Sequence, residues 1–357
     1  MARGNRRILV TGASGWWGAR TAQRLAQEPG VADVLGVDAS EPAEDVRPAR
    51  FARLAADGRG LEGLVREMGA DTVVHTVLAE GPSPHGGVQA ANVALAQAVL
   101  AACAGAESAV RRIVVRSSTQ VYGAAPDLPG RMREDRRIDR DPTDQLTRDA
   151  VLVEAEAEEF AHRNPETQVL VLRFADALCP EAPERLARHL ARDPVPTCAG
   201  FDPMLQLIHA DDCVEAMARA ALRGPAGVYN IAAAKPAPLS RILGGAGREQ
   251  SSVLPPAGGA ALAWALSAAR VASLSPHLLD LLRFGASVST AKALRDLGFA
   301  AGLDTADAYA EFIHPAGAPP LEETRAAPAA LPPALAAGEG AIRQVPRPHR
   351  RRPAPGR

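Results

Sequence analysis

The chain has 357 residues, 40 Lys+Arg against 41 Asp+Glu, and 47% hydrophobic residues. This composition excludes wholesale disorder, and the near-neutral balance gives no reason to expect nucleic acid or a membrane surface as partner. The length predicts one large or two modest domains with a sizeable core.

Short apolar runs alternate with longer helical patterns. Strands are predicted over 8–10, 34–37, 51–55, 72–78, 113–115 and 169–172. Helices are predicted over 16–27, 61–68, 88–106 and 146–162. Such βαβα repetition implies an α/β fold: a doubly wound, mostly parallel sheet with helices on both faces. After about residue 174 the pattern loosens. A strand over 205–208, a helix over 211–222 and a strand over 227–231 follow, then helices near 260–270, 275–283, 290–297 and 304–313. From His314 on, Pro, Ala and Gly dominate and the end is basic, so a disordered tail is expected. The expected division is 6–174 for the sheet domain, 175–313 for a smaller interleaved region that can return a strand to the sheet, and 314–357 for the tail.

The cysteines Cys103, Cys179, Cys198 and Cys213 form no CxxC pair and read as small buried hydrophobes, so no metal is expected. The longest uncharged run, 250–269, is broken by Pro255-Pro256 and Gly258-Gly259. Its helical part falls short of the roughly 20 residues that span a bilayer. No signal-peptide pattern precedes the first strand, and a soluble cytoplasmic protein is expected. The Ala/Arg/Gly/Pro richness points to a high-GC bacterial genome. It leaves only two lysines, Lys235 and Lys292, and three tyrosines, Tyr122, Tyr229 and Tyr309.

The first strand runs into Thr11-Gly12-Ala13-Ser14-Gly15-Trp16-Trp17-Gly18 and then a helix. Strand, tight turn and helix are the context in which three glycines at this spacing cradle a pyrophosphate. Gly12 permits the turn, Gly15 lets the backbone approach the phosphates, and Gly18 lets helix and strand pack closely. The helix N-terminus offers free N–H groups. Asp38 ends the second strand twenty residues after Gly18. A carboxylate there accepts from both adenosine ribose hydroxyls and repels a 2′-phosphate, which favours NAD over NADP.

Together with later segments, this Rossmann-type start resembles the extended short-chain dehydrogenase/reductases, in particular the NAD-dependent epimerase/dehydratase family. The resemblance covers roughly residues 6–313. Asp57 matches the acid that contacts adenine, and Val73-Val-His75 the strand that passes under the cofactor, with Val77 and Leu78 following. Asn92 matches the Asn of the next helix. Ser118-Thr-Gln-Val-Tyr122-Gly123 matches Ser-x-x-Val-Tyr-Gly, Leu172-Arg-Phe174 the Leu-Arg-Phe strand end, and Ile208-His-Ala-Asp-Asp212 the segment of the substrate region. The resemblance implies that Thr11, Ser14, Trp16 and Trp17 join the glycines at the cofactor. It also implies a substrate cleft at the strands' carboxyl ends and a homodimer through helices 88–106 and 146–162.

The chain departs from the family at its catalytic pair. Family members use Tyr-x-x-x-Lys on the helix after the Val-Tyr-Gly segment, the Tyr exchanging a proton with the substrate oxygen. Here Leu146 stands at the Tyr position and Ala150 at the Lys position. No shift of alignment restores the pair, because no tyrosine lies between Tyr122 and Tyr229 and no lysine precedes Lys235. Leu205 replaces the Arg that grips a nucleotide-sugar diphosphate, and Asp176 replaces an Asn that contacts phosphate. Thr119 and Gln120 stand where dehydratases carry acids. Ser118 remains as the candidate that holds a substrate oxygen. His75 reads as a buried structural histidine, Asp144 as a helix N-cap, and 131–141 as a solvated loop. Arg148 and Asp149, adjacent on a helix, face different ways and form no dyad.

Two readings stay open from the residues. The first is an atypical NAD-binding oxidoreductase on a small alcohol, ketone or sugar-like substrate. The second is a noncatalytic NAD-binding sensor or interaction module. A nucleotide-sugar epimerase is a third, weakened by Leu205 and Leu146.

Overall fold

A computed structural model describes residues 6–43, 45–55, 58–80, 88–105, 108–136, 141–142, 144–254 and 275–315. Asp57, the predicted helix near 260–270, part of the 131–141 loop and nearly all of the tail lie outside these residues.

Seven parallel strands form the central sheet in the order β11-β6-β5-β4-β1-β2-β3. They are β1 (Arg6–Thr11), β2 (Val31–Asp38), β3 (Arg50–Arg53), β4 (Thr72–His75), β5 (Arg112–Ser118), β6 (Gln168–Phe174) and β11 (Gly227–Ile231). The central strands are Val/Ile/Leu runs with almost no exposure, as parallel strands covered on both faces require. The helices that cover them are α1 (Trp16–Ala26), α2 (Leu61–Met68), α3 (Val88–Cys103), α4 (Gln145–Arg163) and α6 (Ala210–Leu222). Chain order reverses between β1 and β4, which opens a crevice at the carboxyl ends of these strands.

Local chemistry sets the helix ends. Asp144 caps α4 by accepting from Thr147 N–H (3.0 Å). Asp211 and Asp212 begin α6 and Arg219 ends it, which suits the helix dipole. By contrast, Gly15 starts α1 with no side-chain cap, so its first N–H groups lack that partner.

The region after β6 adds β7 (Ala177–Leu178), α5 (Arg185–Leu190), β8 (Val195–Cys198), β9 (Met204–Leu205) and β10 (Ile208–His209). Past α6 and β11 come β12 (Ala237–Pro238), α7 (Leu239–Gly245), β13 (Gln250–Leu254), α8 (Pro276–Phe284), α9 (Ala291–Leu297) and α10 (Thr305–Ile313). A second apolar core gathers Leu178, Leu190, Leu205, Ile242, Leu282 and Tyr309. β11 does return to the main sheet, pairing in parallel with β6 over Gly227–Ile231. The predicted strand over 205–208 is two pieces. β9 pairs β12 and β10 pairs β7. Between them the Gln206 side chain hydrogen-bonds the backbone of Ala233 and Val288.

All four cysteines are free and buried, and burial pushes the Cys103 and Cys179 thiols up to about 12. Among the described residues no helix is long and apolar enough to cross a membrane, and no His/Cys/Asp/Glu group has metal-binding geometry.

Candidate active site

The glycine turn is built around its missing side chains. Gly12 has φ 84°, and a Cβ there would lie 2.6 Å from Thr76 Oγ1 and 2.7 Å from Val77 Cγ2. A Cβ on Gly18 would sit 2.2 Å from Gly12 O. Gly15 differs, since a Cβ there would meet only Gly12 O, at 3.6 Å. Protein packing therefore explains Gly12 and Gly18 and leaves open space beside Gly15, next to the uncapped start of α1. That is a fit for a pyrophosphate.

Asp38 is half-buried at the end of β2. It accepts Ser14 N–H at 3.0 Å and Ala39 N–H at 2.6 Å, one on each oxygen. Each oxygen keeps a further lone pair for a ribose hydroxyl. Thr11 turns inward, its Oγ1 2.8 Å from His75 Nδ1. His75 is buried, and desolvation aided by the Arg116 charge lowers it to about 4, which keeps the imidazole neutral. Asn92 holds the loop after β4, with Oδ1 accepting Ala79 N–H and Nδ2 donating to Ala79 O, both at 3.0 Å. The same Nδ2 donates to the buried Asp149 at 2.9 Å. Arg148 is exposed and reaches Pro142 O instead, so the two adjacent residues do face apart.

A cavity of about 330 Å³ opens at the carboxyl ends of β5 and β6. Trp17, Leu78, Ser118, Gln120, Leu146 and Phe174 line it, with a charged side formed by Arg116, Glu80, Glu184 and Arg188. Three sequence-predicted cofactor or substrate positions, Trp17, Leu78 and Ser118, thus meet at one space. Leu146, at the Tyr position, presents an apolar wall to it. Ala150, at the Lys position, has no exposure.

Neither lysine and none of the three tyrosines lines this cavity. The Tyr122 hydroxyl donates to Asn230 Oδ1 (2.9 Å) and accepts from Arg173 (2.7 Å), and burial raises its pKa. Tyr229 and Tyr309 donate to the Pro225 and Leu190 carbonyls. Lys292 donates to Val228 O at 2.6 Å. The rare residues noted in the composition are committed to the scaffold or lie elsewhere.

Ser118 caps the short 3₁₀ turn Thr119–Tyr122, its Oγ accepting Gln120 N–H at 3.2 Å. That bond occupies a lone pair and leaves the hydroxyl proton for another acceptor. The sequence reading passed over Arg116 and Glu184. The Arg116 guanidinium lies 3.8 Å above the Trp17 ring and is ion-paired with Glu184, which also accepts Ala177 N–H at 3.2 Å. An arginine inside a Val/Ser strand, two residues from Ser118 and so on its face, was a legible signal. Glu184 lies 68 residues from Arg116 and had none.

The model of the "NAD dependent epimerase/dehydratase family" matches residues 8–232. The chain belongs to this family. An uncharacterized protein of Mycobacterium tuberculosis (strain ATCC 25618 / H37Rv) is 34% identical over 325 residues, covering 88% of this chain and 85% of that protein. Among solved structures, MoeE5 in complex with UDP-glucuronic acid and NAD is similar, at TM-score 0.65 and 22% identity over 85% of this chain and 96% of that one. So is a UDP-glucuronic acid 4-epimerase from Bacillus cereus in complex with NAD, at TM-score 0.63 and 17% identity over 86% and 96%. At these identities the structures establish the fold, an epimerase/dehydratase-type Rossmann sheet. In this family member no tyrosine lies between Tyr122 and Tyr229 and no lysine precedes Lys235.

Proposed function

We propose that the chain binds NAD and is an oxidoreductase on a small alcohol, ketone or sugar-like substrate, with Ser118 holding the substrate oxygen. The observation that carries this reading is the open cavity in which the Ser118 hydroxyl proton is free to donate. The first turn of α1 and Gly15 would hold the pyrophosphate, Asp38 the adenosine ribose, and Trp17 and Leu78 the inner end of the dinucleotide. When bound, the oxidised nicotinamide would accept hydride from an alcohol, and the reduced form would supply hydride to a carbonyl. Ser118 donates to a carbonyl oxygen and fixes its position, Phe174 and Leu146 exclude water from one side, and Asn92 holds the Ala79 backbone in place. Family membership supports the cofactor, as do the NAD complexes of the similar structures. A nucleotide-sugar substrate is less well supported. Leu205 is buried in the second core and gives a diphosphate no donor.

Thermal shift with NAD and NADP is the first test. NAD is expected to stabilise the protein more than NADP, and Asp38→Ala to remove most of that shift. No stabilisation by either dinucleotide would sink the cofactor reading. Following 340 nm absorbance with a panel of alcohols, aldehydes and ketones then tests the chemistry. Ser118→Ala is expected to lower kcat/KM by about 10²–10³, the usual loss of one oxygen-stabilising donor. Turnover indifferent to that change would show that Ser118 is not the donor. The apolar Leu146 and Ala150 favour one second reading, a noncatalytic NAD-binding module. It gains if NAD stabilises the protein and no substrate of the panel turns over.

A further inference from the structure

Gln120 sits two residues beyond Ser118 in the cavity wall and is 8% exposed. Its Nε2 donates to Asp176 Oδ1 at 3.0 Å, and its Oε1 is buried without a partner. Asp176 itself is 8% exposed. The charged groups around it come from three elements. Glu184, just ahead of α5, and Glu80, after β4, both act on it as like charges. Arg116 of β5 is paired with Glu184, and Arg188 of α5 with Glu80. On α6, the Cys213 thiol is kept neutral by burial. No lysine or arginine pairs with Asp176 among the described residues. Burial first, then Glu184 and Glu80, push its carboxyl up to about 7.

We propose that Gln120, in the cavity wall beside Ser118, and Asp176, which it contacts, form a proton-controlled polarity switch. With Asp176 ionised, its oxygen accepts one amide N–H, and the buried Gln120 Oε1, without a protein partner, is left for a ligand hydroxyl that enters the wall. That acceptor suits an alcohol O–H. With Asp176 protonated, its O–H donates to Gln120 Oε1, the carboxamide turns over, and an N–H is left for a ligand. That donor suits a carbonyl oxygen. Only hydrogen bonds and one proton on Asp176 change. The cavity therefore prefers an alcohol above about neutral pH and the corresponding ketone below it. This ligand class rests on the proposed oxidoreductase function; the switch rests on the Asp176–Gln120 contact and the unpartnered Oε1.

Side-chain ¹⁵N-glutamine NMR of the full chain tests the switch, with Gln120→Leu identifying the Gln120 signal. The Gln120 NH₂ resonances are expected to step between pH 5 and 9 with a midpoint near 7, and Asp176→Asn to remove the step. A wild-type spectrum with no step, or a step that survives Asp176→Asn, overturns the proposal. Stability gives an independent readout. A carboxyl whose folded pKa exceeds its unfolded value of about 3.9 loses its stabilising contribution as pH rises towards 7. The Tm of Asp176→Asn relative to wild type should therefore rise from pH 5 to pH 8, and a constant difference counts against the switch. Cyclohexanone and cyclohexanol serve as ligand probes, read by the Gln120 resonances. About tenfold tighter ketone binding at pH 5.5 than at pH 8.5 is expected, with the opposite order for the alcohol. Binding of both without pH dependence overturns the ligand preference. If the step is present and no alcohol or ketone turns over with NAD, the switch stands and the oxidoreductase reading falls.

Discussion

Glu154→Ala is expected to cost about 3–5 kcal/mol of folding stability, the range for removing one partner of a buried ion pair. Glu154 of α4 accepts from Arg173 of β6 through Nε (2.9 Å) and Nη2 (2.6 Å), and also from Ser117 Oγ of β5. Arg173 passes the network on to Tyr122 (2.7 Å), and Tyr122 to Asn230 of β11 (2.9 Å). Asn230 donates in turn to the carbonyls of Met132 and Ser289, both at 3.3 Å. One carboxylate thus anchors a chain of bonds across α4, β5, β6 and β11, directly behind the cavity. Both side chains of the ion pair are almost fully covered. Without Glu154 the Arg173 guanidinium stays charged in a site with no counter-ion and little water. Urea denaturation measures the loss. Glu154→Gln keeps acceptors and should lose less. Glu154→Met with Arg173→Met removes both charges and should recover much of the single-variant loss. A loss below about 1 kcal/mol for Glu154→Ala would show that the network carries little of the stability.

How much of this was legible in the sequence varies with the range of the interaction. The alternation of Val-rich runs and helices announced the sheet because each strand is buried on both faces and needs no partner to be recognised. The glycine turn and Asp38 were legible because a positive φ, a close backbone approach and a strand-end carboxylate are local requirements. The strand over 72–78 was overdrawn: it ends at His75, because the next residue turns its hydroxyl onto Thr11 O (2.7 Å) and leaves the ladder. The short ladders β7/β10, β8/β13 and β9/β12 were invisible as such, because two to five residues carry no period. Which strand Leu205 joins is decided by Ala237, 32 positions away along the chain. The cavity shows the same division. Ser118 and Leu146, singled out by spacing, line it, and the scarcity of phenols and ammoniums was legible in the composition. The Arg116–Glu184 pair and the Asp176–Gln120 contact depend on loops that only the fold brings together.

Gly15 and Gly18, at the start of α1, separate the fold from the cofactor. Gly18→Ala places a Cβ 2.2 Å from Gly12 O and 2.8 Å from Ala13 N, all backbone atoms of the turn. Neither partner can rotate away, so α1 must shift from β1 and drag the turn with it. Overpacking of this kind costs about 1–3 kcal/mol, and more where only backbone can yield. Gly18→Ala is expected to lower Tm and to abolish stabilisation by NAD together. Gly15→Ala is the counterpart. Gly15 has φ −91° and ψ 160°, which alanine adopts readily, and the added Cβ meets only Gly12 O at 3.6 Å. Its cost to the apoprotein is limited to a poorer N-cap, about 1 kcal/mol. The methyl nevertheless enters the space beside the free N–H groups of α1, where a pyrophosphate would lie. Gly15→Ala is therefore expected to keep Tm without ligand within a few degrees of wild type and to lose most of the NAD-induced shift. If Gly15→Ala binds NAD as well as wild type does, the phosphates do not sit at this turn, and the cofactor placement built on Gly12, Gly15 and Asp38 is wrong.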